Sequence, residues 1–109
     1  METGYHAIRA VAATGKLPRA IICGSDEVAI GVLSALNRRG VRVPDEVAVI
    51  GMDNIEMSEY TSPALTTMNV PKKNMGRRAV EMIVNNTCGR GENAIRIMLP
   101  ANIVSRDSC

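Results

Sequence analysis

The stretch Val47-Ala48-Val49-Ile50-Gly51-Met52-Asp53-Asn54 decides the fold, because an apolar run ends abruptly in a glycine and then an acid. Strands of a parallel sheet covered on both faces have such nearly continuous apolar sequences. In open α/β sheets, ligands bind beyond the carboxyl ends of the strands. We therefore predict a parallel-sheet α/β fold in three layers, with Asp53 at the position where this fold places its binding residues.

The residues before this strand predict a second strand and a helix. Ala20-Ile21-Ile22-Cys23 is apolar at every position, which suits a strand buried on both faces. Ser25 is placed to cap the following helix, and Gly40 is placed to end it. Arg38 and Arg39 put positive charge at the carboxyl end of this helix, where the helix dipole is negative. A strand, a helix and a strand in this order predict neighbouring parallel strands. The apolar face of the helix is expected to comprise Val28, Ala29, Val32, Leu33 and Leu36.

Further elements flank this unit on both sides. Apolar residues at helical spacing predict a first helix over Thr3–Thr14. Leu65–Val70 has strand propensity, and the helix after it is expected to end at a loop over Cys88–Asn93. Two short strands are predicted beyond, at Ala94–Leu99 and Ile103–Val104. The buried side of the third helix is expected to include Met75, Ala79, Met82, Ile83 and Asn86.

Composition excludes several classes of protein. The 109 residues fit one globular domain, with 46% hydrophobic and 22% charged residues. A net charge of +2 is too small to indicate nucleic-acid or membrane attraction by itself, and no apolar run is long enough to span a membrane. Cys23, Cys88 and Cys109 are widely spaced, which disfavours a zinc site or a disulfide framework. We expect a cytoplasmic protein that has no metal or cofactor and does not associate with a membrane.

The polar residues that follow the strand at Ala20–Cys23 and the strand at Val47–Gly51 form the candidate binding site. Ser25 and Asp53 should meet at one rim of the sheet, beside the free N–H groups of a helix N-terminus. A carboxylate and a hydroxyl there can hold a polyhydroxylated or otherwise polar small molecule. The ordinary alternatives are a helix cap for Ser25, solvent-facing dipole partners for Asp26 and Glu27, and a turn-capping role for Asp53. No catalytic residues are predicted, because the only histidine has no nearby nucleophile or second ligand.

Four ordered stretches carry a resemblance to a known family. They are Pro18 to Ala29 (PRAIICGSDEVA), Gly40 to Asn54 (GVRVPDEVAVIGMDN), Pro63 to Gly76 (PALTTMNVPKKNMG) and Leu99 to Cys109 (LPANIVSRDSC). Together they resemble the carboxyl-terminal part of transcriptional regulators of the lactose-repressor and galactose-repressor (LacI/GalR) family. The resemblance covers essentially the whole chain but only the final part of the family's effector-binding domain.

This resemblance implies a periplasmic-binding-protein-like (type I) fold, in which two α/β lobes joined by crossover strands hold a ligand between them. It assigns residues 1–65 to the carboxyl-terminal lobe, residues 66–98 to a crossover strand and a helix of the amino-terminal lobe, and residues 99–109 to the return. The family's DNA-binding helix-turn-helix matches no part of this sequence. Operator DNA would therefore be a partner only through a region outside these residues.

The resemblance also implies roles for individual residues. Asp53 falls on the aspartate that contacts the effector, a sugar or another small metabolite, from the carboxyl-terminal lobe. Ser25 falls where many members have Asn, and Met52 where most have Tyr or Phe, so both are expected to line an altered pocket. The dimer interface is expected at Ile30 on the second helix and at Met57 and Tyr60. An isolated fragment should expose the apolar face of its third helix and form a homodimer or a domain-swapped oligomer.

Two other classes of protein remain open from the residues alone. A receiver-like phosphoacceptor domain also places an Asp at the end of a parallel strand, near acids that hold magnesium, which Asp26 and Glu27 superficially resemble. The expected order of its other acidic and lysine motifs is absent here. A fragment of a secreted solute-binding protein would share the fold, but the amino terminus has no signal-peptide pattern.

Overall fold

The computed structural model of the protein describes residues 1–13, 15–85 and 95–109. Its sheet has four strands in the order β1 (Ala20–Ile22), β2 (Ala48–Met52), β3 (Thr66–Asn69) and β4 (Asn102–Val104). β1, β2 and β3 are parallel, and β4 runs antiparallel to β3. The predicted adjacency of the two parallel strands β1 and β2 is confirmed, because Ile21 of β1 lies opposite Val49 of β2.

The helices are α1 (Glu2–Ala13), α2 (Asp26–Asn37) and α3 (Lys72–Val84), with a short 3₁₀ turn at Glu56–Glu59. Ser25 caps α2 as predicted, since its Oγ accepts a hydrogen bond from the N–H of Val28 at 3.3 Å. Beyond the helix, Gly40 adopts a φ of +70° and its N–H donates to the carbonyl of Asn37.

The hydrophobic core lies between α2 and the sheet, with α1 packed against α2. The predicted apolar face of α2 is confirmed, although Val28 is only partly buried. α1 and α2 can approach closely because Gly4 and Gly31 have no side chains. A Cβ at Gly4 would collide with the backbone of Val28, and a Cβ at Gly31 would collide with the backbone of Met1. The buried core residues are Ile8, Cys23, Ala29, Val32, Leu33, Ala35, Leu36, Val47, Val49 and Leu65.

The chain divides into two compact units, one formed by residues 1–69 and 102–109 and the other by residues 70–101. α3 belongs to the second unit, where Met75, Ala79 and Met82 line a small cavity with Ile97 and Leu99. None of the described residues of α3 is buried, so the predicted buried side of this helix is wrong. Apolar spacing identifies the side of a helix that favours a partner, but it does not show that the partner is present.

Two further predictions about strands are corrected by the structure. β1 is not buried on both faces: it is the edge strand, and Ile22 is 83% exposed. Residues 95–99 form no strand, because apolar residues alone do not provide a hydrogen-bonding neighbour. The predicted loop over Cys88–Asn93 and the predicted helix residue Asn86 lie outside the described residues.

Candidate functional site

The carboxyl ends of β1 and β2 form one rim of the sheet, because these strands are parallel neighbours. Just beyond β1, the N–H of Cys23 donates to the carbonyl of Ile50 at 2.9 Å, which keeps the start of this loop against β2. Ser25 follows as the N-cap of α2, and Asp53 follows the last residue of β2. Both predicted binding residues are partly exposed at this end of the sheet.

The backbone at Asp53 is unusual, because Asp53 and Asn54 have positive φ values of 108° and 50°. Asp and Asn are among the residues that tolerate this region best, yet such a conformation still costs about 1–3 kcal/mol per residue and needs support from its surroundings. The support comes from three successive N–H groups that donate inward. Their acceptors are Met68 O for Asp53 (2.9 Å), Thr67 Oγ1 for Asn54 (3.2 Å) and Asp26 Oδ2 for Ile55 (2.8 Å).

Asp26 is fully buried, so the expectation that it faces solvent is wrong; Glu27 does face solvent. Asp26 Oδ1 accepts a hydrogen bond from the hydroxyl of Thr67 at 2.5 Å, and Asp26 Oδ2 accepts one from the N–H of Ile55. The carboxylate fits there because Gly51 has no side chain, and a Cβ at that position would collide with Oδ1. A glycine inside an apolar strand is the sequence signal for such a close approach.

Sequence reasoning also missed the role of Arg106. Its guanidinium donates to Leu65 O at 2.8 Å, to Ser58 Oγ at 3.2 Å and to Asn54 Oδ1 at 3.0 Å. It also forms an ion pair with Glu59 at 3.0 Å, although Glu59 itself is largely exposed. Arg106 thus holds the segment from Asn54 to Glu59 against the end of the chain. Its position in the last family-like stretch is the signal that could have indicated it.

A row of asparagines extends the polar rim. Asn54 Nδ2 donates to Asn69 Oδ1 at 3.4 Å, and Asn69 Nδ2 donates to Asn102 Oδ1 at 3.3 Å. Asn69 ends β3 and Asn102 begins β4, so both lie at the same end of the sheet as Asp53. The rim therefore combines a carboxylate with amides, which suits a polar ligand.

Comparison with known proteins agrees with this α/β fold and its mostly parallel sheet. The family model of the periplasmic binding protein-like domain matches residues 1–109. The chain belongs to this family.

Three proteins similar to this periplasmic binding protein-like domain are transcription regulators. The HTH-type transcriptional repressor PurR of Salmonella paratyphi B is 37% identical over 107 residues, which are 98% of this chain and 31% of the repressor. A LacI-type transcription regulator from Bifidobacterium animalis has a TM-score of 0.82 and 37% identity over 96% of this chain and 38% of its own. A complex of the regulator CelR with cellobiose has a TM-score of 0.88 and 29% identity over 99% of this chain and 33% of its own.

These matches support the LacI/GalR resemblance, and the chain is similar to one part of such regulators. It spans about one third of the length of the relatives it matches. The receiver-like and secreted alternatives are not favoured. The structure also disfavours a receiver-like reading because Asp26 is buried and both of its oxygens already accept hydrogen bonds.

The remaining predicted site residues of this periplasmic binding protein-like domain lie in different surroundings. Met52 ends β2, opposite Met68, and is partly buried. Ile30 is also partly buried and lines a cavity of about 450 Å³ between α1 and α2. Met57 and Tyr60 are 56% and 73% exposed.

Among residues 1–13, 15–85 and 95–109, no three His, Cys, Asp or Glu side chains are grouped so that they could hold a metal ion. Within the same residues, no helix is long and apolar enough to cross a bilayer.

Proposed function

We propose that this chain forms part of a site that binds a sugar or a similarly polar metabolite in a LacI-type regulator, and that binding controls transcription. The observation that carries the proposal is Asp53, whose unusual backbone is held by three inward hydrogen bonds at the carboxyl end of the central strand. Ser25 and Met52 flank it as further contacts. A carboxylate can accept hydrogen bonds from two neighbouring hydroxyls of a sugar.

Several features of the relatives support the rest of the proposal. PurR is a transcriptional repressor, and CelR is known in complex with cellobiose. By analogy, the protein is not an enzyme, uses no cofactor, acts in the cytoplasm and reaches operator DNA through a helix-turn-helix outside these residues. One lobe would consist of residues 1–65 and 99–109 and would contact the ligand. The other lobe would receive a crossover strand and a helix from residues 66–98.

A thermal-shift screen of the full-length protein tests the ligand class. The probes are mono- and disaccharides, including cellobiose, together with nucleobases and amino acids. We expect one polyhydroxylated or polar neutral probe to raise the melting temperature in a concentration-dependent way, because a ligand that binds only the native state stabilises it. A panel in which only highly charged probes act, or none, would contradict the proposed ligand class.

We further propose that the regulator is a homodimer with Ile30, Met57 and Tyr60 at its interface. Met57 and Tyr60 are exposed large side chains on one short segment, which is typical of an interaction surface. Met57→Glu should shift the protein towards monomer in sedimentation velocity, because it places a charge in an apolar interface. Glu56→Gln, an exposed neighbour on the same turn, is the matched control and should leave the dimer intact. A dimer unaffected by Met57→Glu would refute this assignment.

A further inference from the structure

The loop that carries Asp53 is held by two buried side chains. Thr67 lies in β3 and Asp26 lies in the first turn of α2, and both are fully buried. Neither residue belongs to β2, the strand that Asp53 follows. The two side chains therefore join a neighbouring strand and a helix to this loop.

The hydroxyl of Thr67 uses both of its hydrogen-bonding capacities here. It donates to Asp26 Oδ1 at 2.5 Å and accepts from the N–H of Asn54 at 3.2 Å. The second carboxylate oxygen of Asp26 accepts from the N–H of Ile55 at 2.8 Å. A backbone N–H can only donate, so the Thr67 hydroxyl accepts from Asn54 and is left to donate its own proton to Asp26. The pair thus fixes two consecutive N–H groups immediately after Asp53.

We propose that the Asp26–Thr67 pair is a positioning element that sets the backbone conformation of Asp53 and thereby the direction of its carboxylate at the rim. Positive φ values at Asp53 and Asn54 turn the next two N–H groups inward, where the pair receives them. Without those acceptors, the two N–H groups would have no reason to point inward, and the loop would relax towards ordinary φ values. Gly51 completes the arrangement by leaving room for the carboxylate.

The chain provides a matched control for this role. Thr66 is also a buried threonine of β3, but its Oγ1 accepts from the N–H of Arg106 and not from the loop. Removing either hydroxyl deletes one buried hydrogen-bonding group from the same strand. Only the removal at Thr67 takes away the direct acceptor of a backbone N–H in the Asp53 loop, since Thr66 contacts this loop only indirectly, through Arg106.

Residue-resolved amide exchange of the full-length protein tests the proposal. In Thr67→Val, we expect the Asn54 amide to exchange about tenfold or more faster, relative to the Leu36 amide as a reference for global unfolding. Thr66→Val should leave that ratio within about twofold of the wild type, and Thr67→Ser should restore it because the hydroxyl returns. Equal effects of Thr66→Val and Thr67→Val, or no effect at Asn54, would overturn the proposal.

Asp26→Ala is the independent variant if Thr67→Val does not fold. It removes the acceptor of the Ile55 N–H, so the Ile55 amide should exchange about tenfold or more faster relative to Leu36. Unchanged exchange at the Ile55 amide would also overturn the proposal. The inference rests on the proposed function only for the role of Asp53 in ligand binding. Because the exchange measurement uses no ligand, its failure and a failure of the proposed function are distinguishable.

Discussion

Asp53 and Asp26 are two acids near the same strand end with opposite surroundings. The sequence identifies Asp53, because an acid directly after an apolar strand is exposed at the rim of an α/β sheet. It does not identify Asp26, because nothing local distinguishes this residue from Glu27 in the first turn of a helix. The difference depends on Thr67 and Ile55, which are 41 and 29 residues away along the chain. Only the fold brings these partners to the buried carboxylate.

Gly51 gives a prediction about stability. In Gly51→Ala, the new methyl group would strike the Asp26 carboxylate, so either the acid or β2 must move. We expect the free energy of unfolding to fall by about 1–3 kcal/mol in chemical denaturation. Gly24→Ala is the control, since a Cβ there meets no atom within 4 Å. Equal stability of the two variants would contradict the close approach.

Cys23 gives a prediction about reactivity and pH. Burial, together with the nearby negative charge of Asp26, raises the pKa of the Cys23 thiol. The thiolate is the reactive form, so alkylation of Cys23 near pH 8 should be about tenfold or more slower than that of exposed Cys109. Peptide mass spectrometry after timed iodoacetamide treatment measures both rates. Similar rates for the two thiols in the folded protein would contradict this assignment.

The direction of the shift also sets how Cys23 contributes to stability. A raised folded-state pKa favours the protonated thiol, so its contribution is fully present below the ordinary thiol value of 9.0. The contribution is lost as the pH rises through the folded pKa. In Cys23→Ser, the free energy of unfolding should therefore fall less at alkaline pH than it does in the wild type.

At the level of elements, the sequence was most informative where short-range chemistry determines the structure. The N-cap at Ser25, the glycine after α2 and the parallel order of β1 and β2 all follow from local residues and crossover rules. Burial of β1 and α3 was predicted wrongly, because burial depends on which neighbours are present. Exposed Ile22 and Ile83 have the sequence character of core residues without a covering layer.

The exposed apolar face of α3 predicts self-association of the 109-residue chain. Ile83 is 70% exposed, and Met75 on the same side is exposed as well. Ile83→Lys should lower the average mass in sedimentation velocity at micromolar concentrations, because it removes apolar area from the contact. Asn74→Lys is the control, because Asn74 lies about 180° from Ile83 by helical spacing and the variant adds the same charge on the opposite side of α3. A wild-type chain that is monomeric across this range would contradict the prediction.

At the scale of the whole molecule, the family resemblance and the fold agree, and the chain spans about one third of its relatives. The part of the candidate site that the sequence predicted is the rim, with Ser25 and Asp53. The part it could not predict is the supporting network of Asp26, Thr67 and Arg106. That network is built from residues far apart in sequence, and no periodicity or cap rule relates them.

Isothermal titration calorimetry of the full-length protein tests the central claim most directly, with the probe that gives the largest shift in the thermal screen as titrant. Asp53→Asn keeps a residue that tolerates positive φ while removing the charge, and Asp45→Asn removes an exposed carboxylate elsewhere as the control. We expect Asp53→Asn to weaken binding by about 10- to 100-fold, as for the loss of a hydrogen bond to a charged group, and Asp45→Asn to leave the affinity unchanged. Wild-type affinity in Asp53→Asn would refute a ligand contact at Asp53.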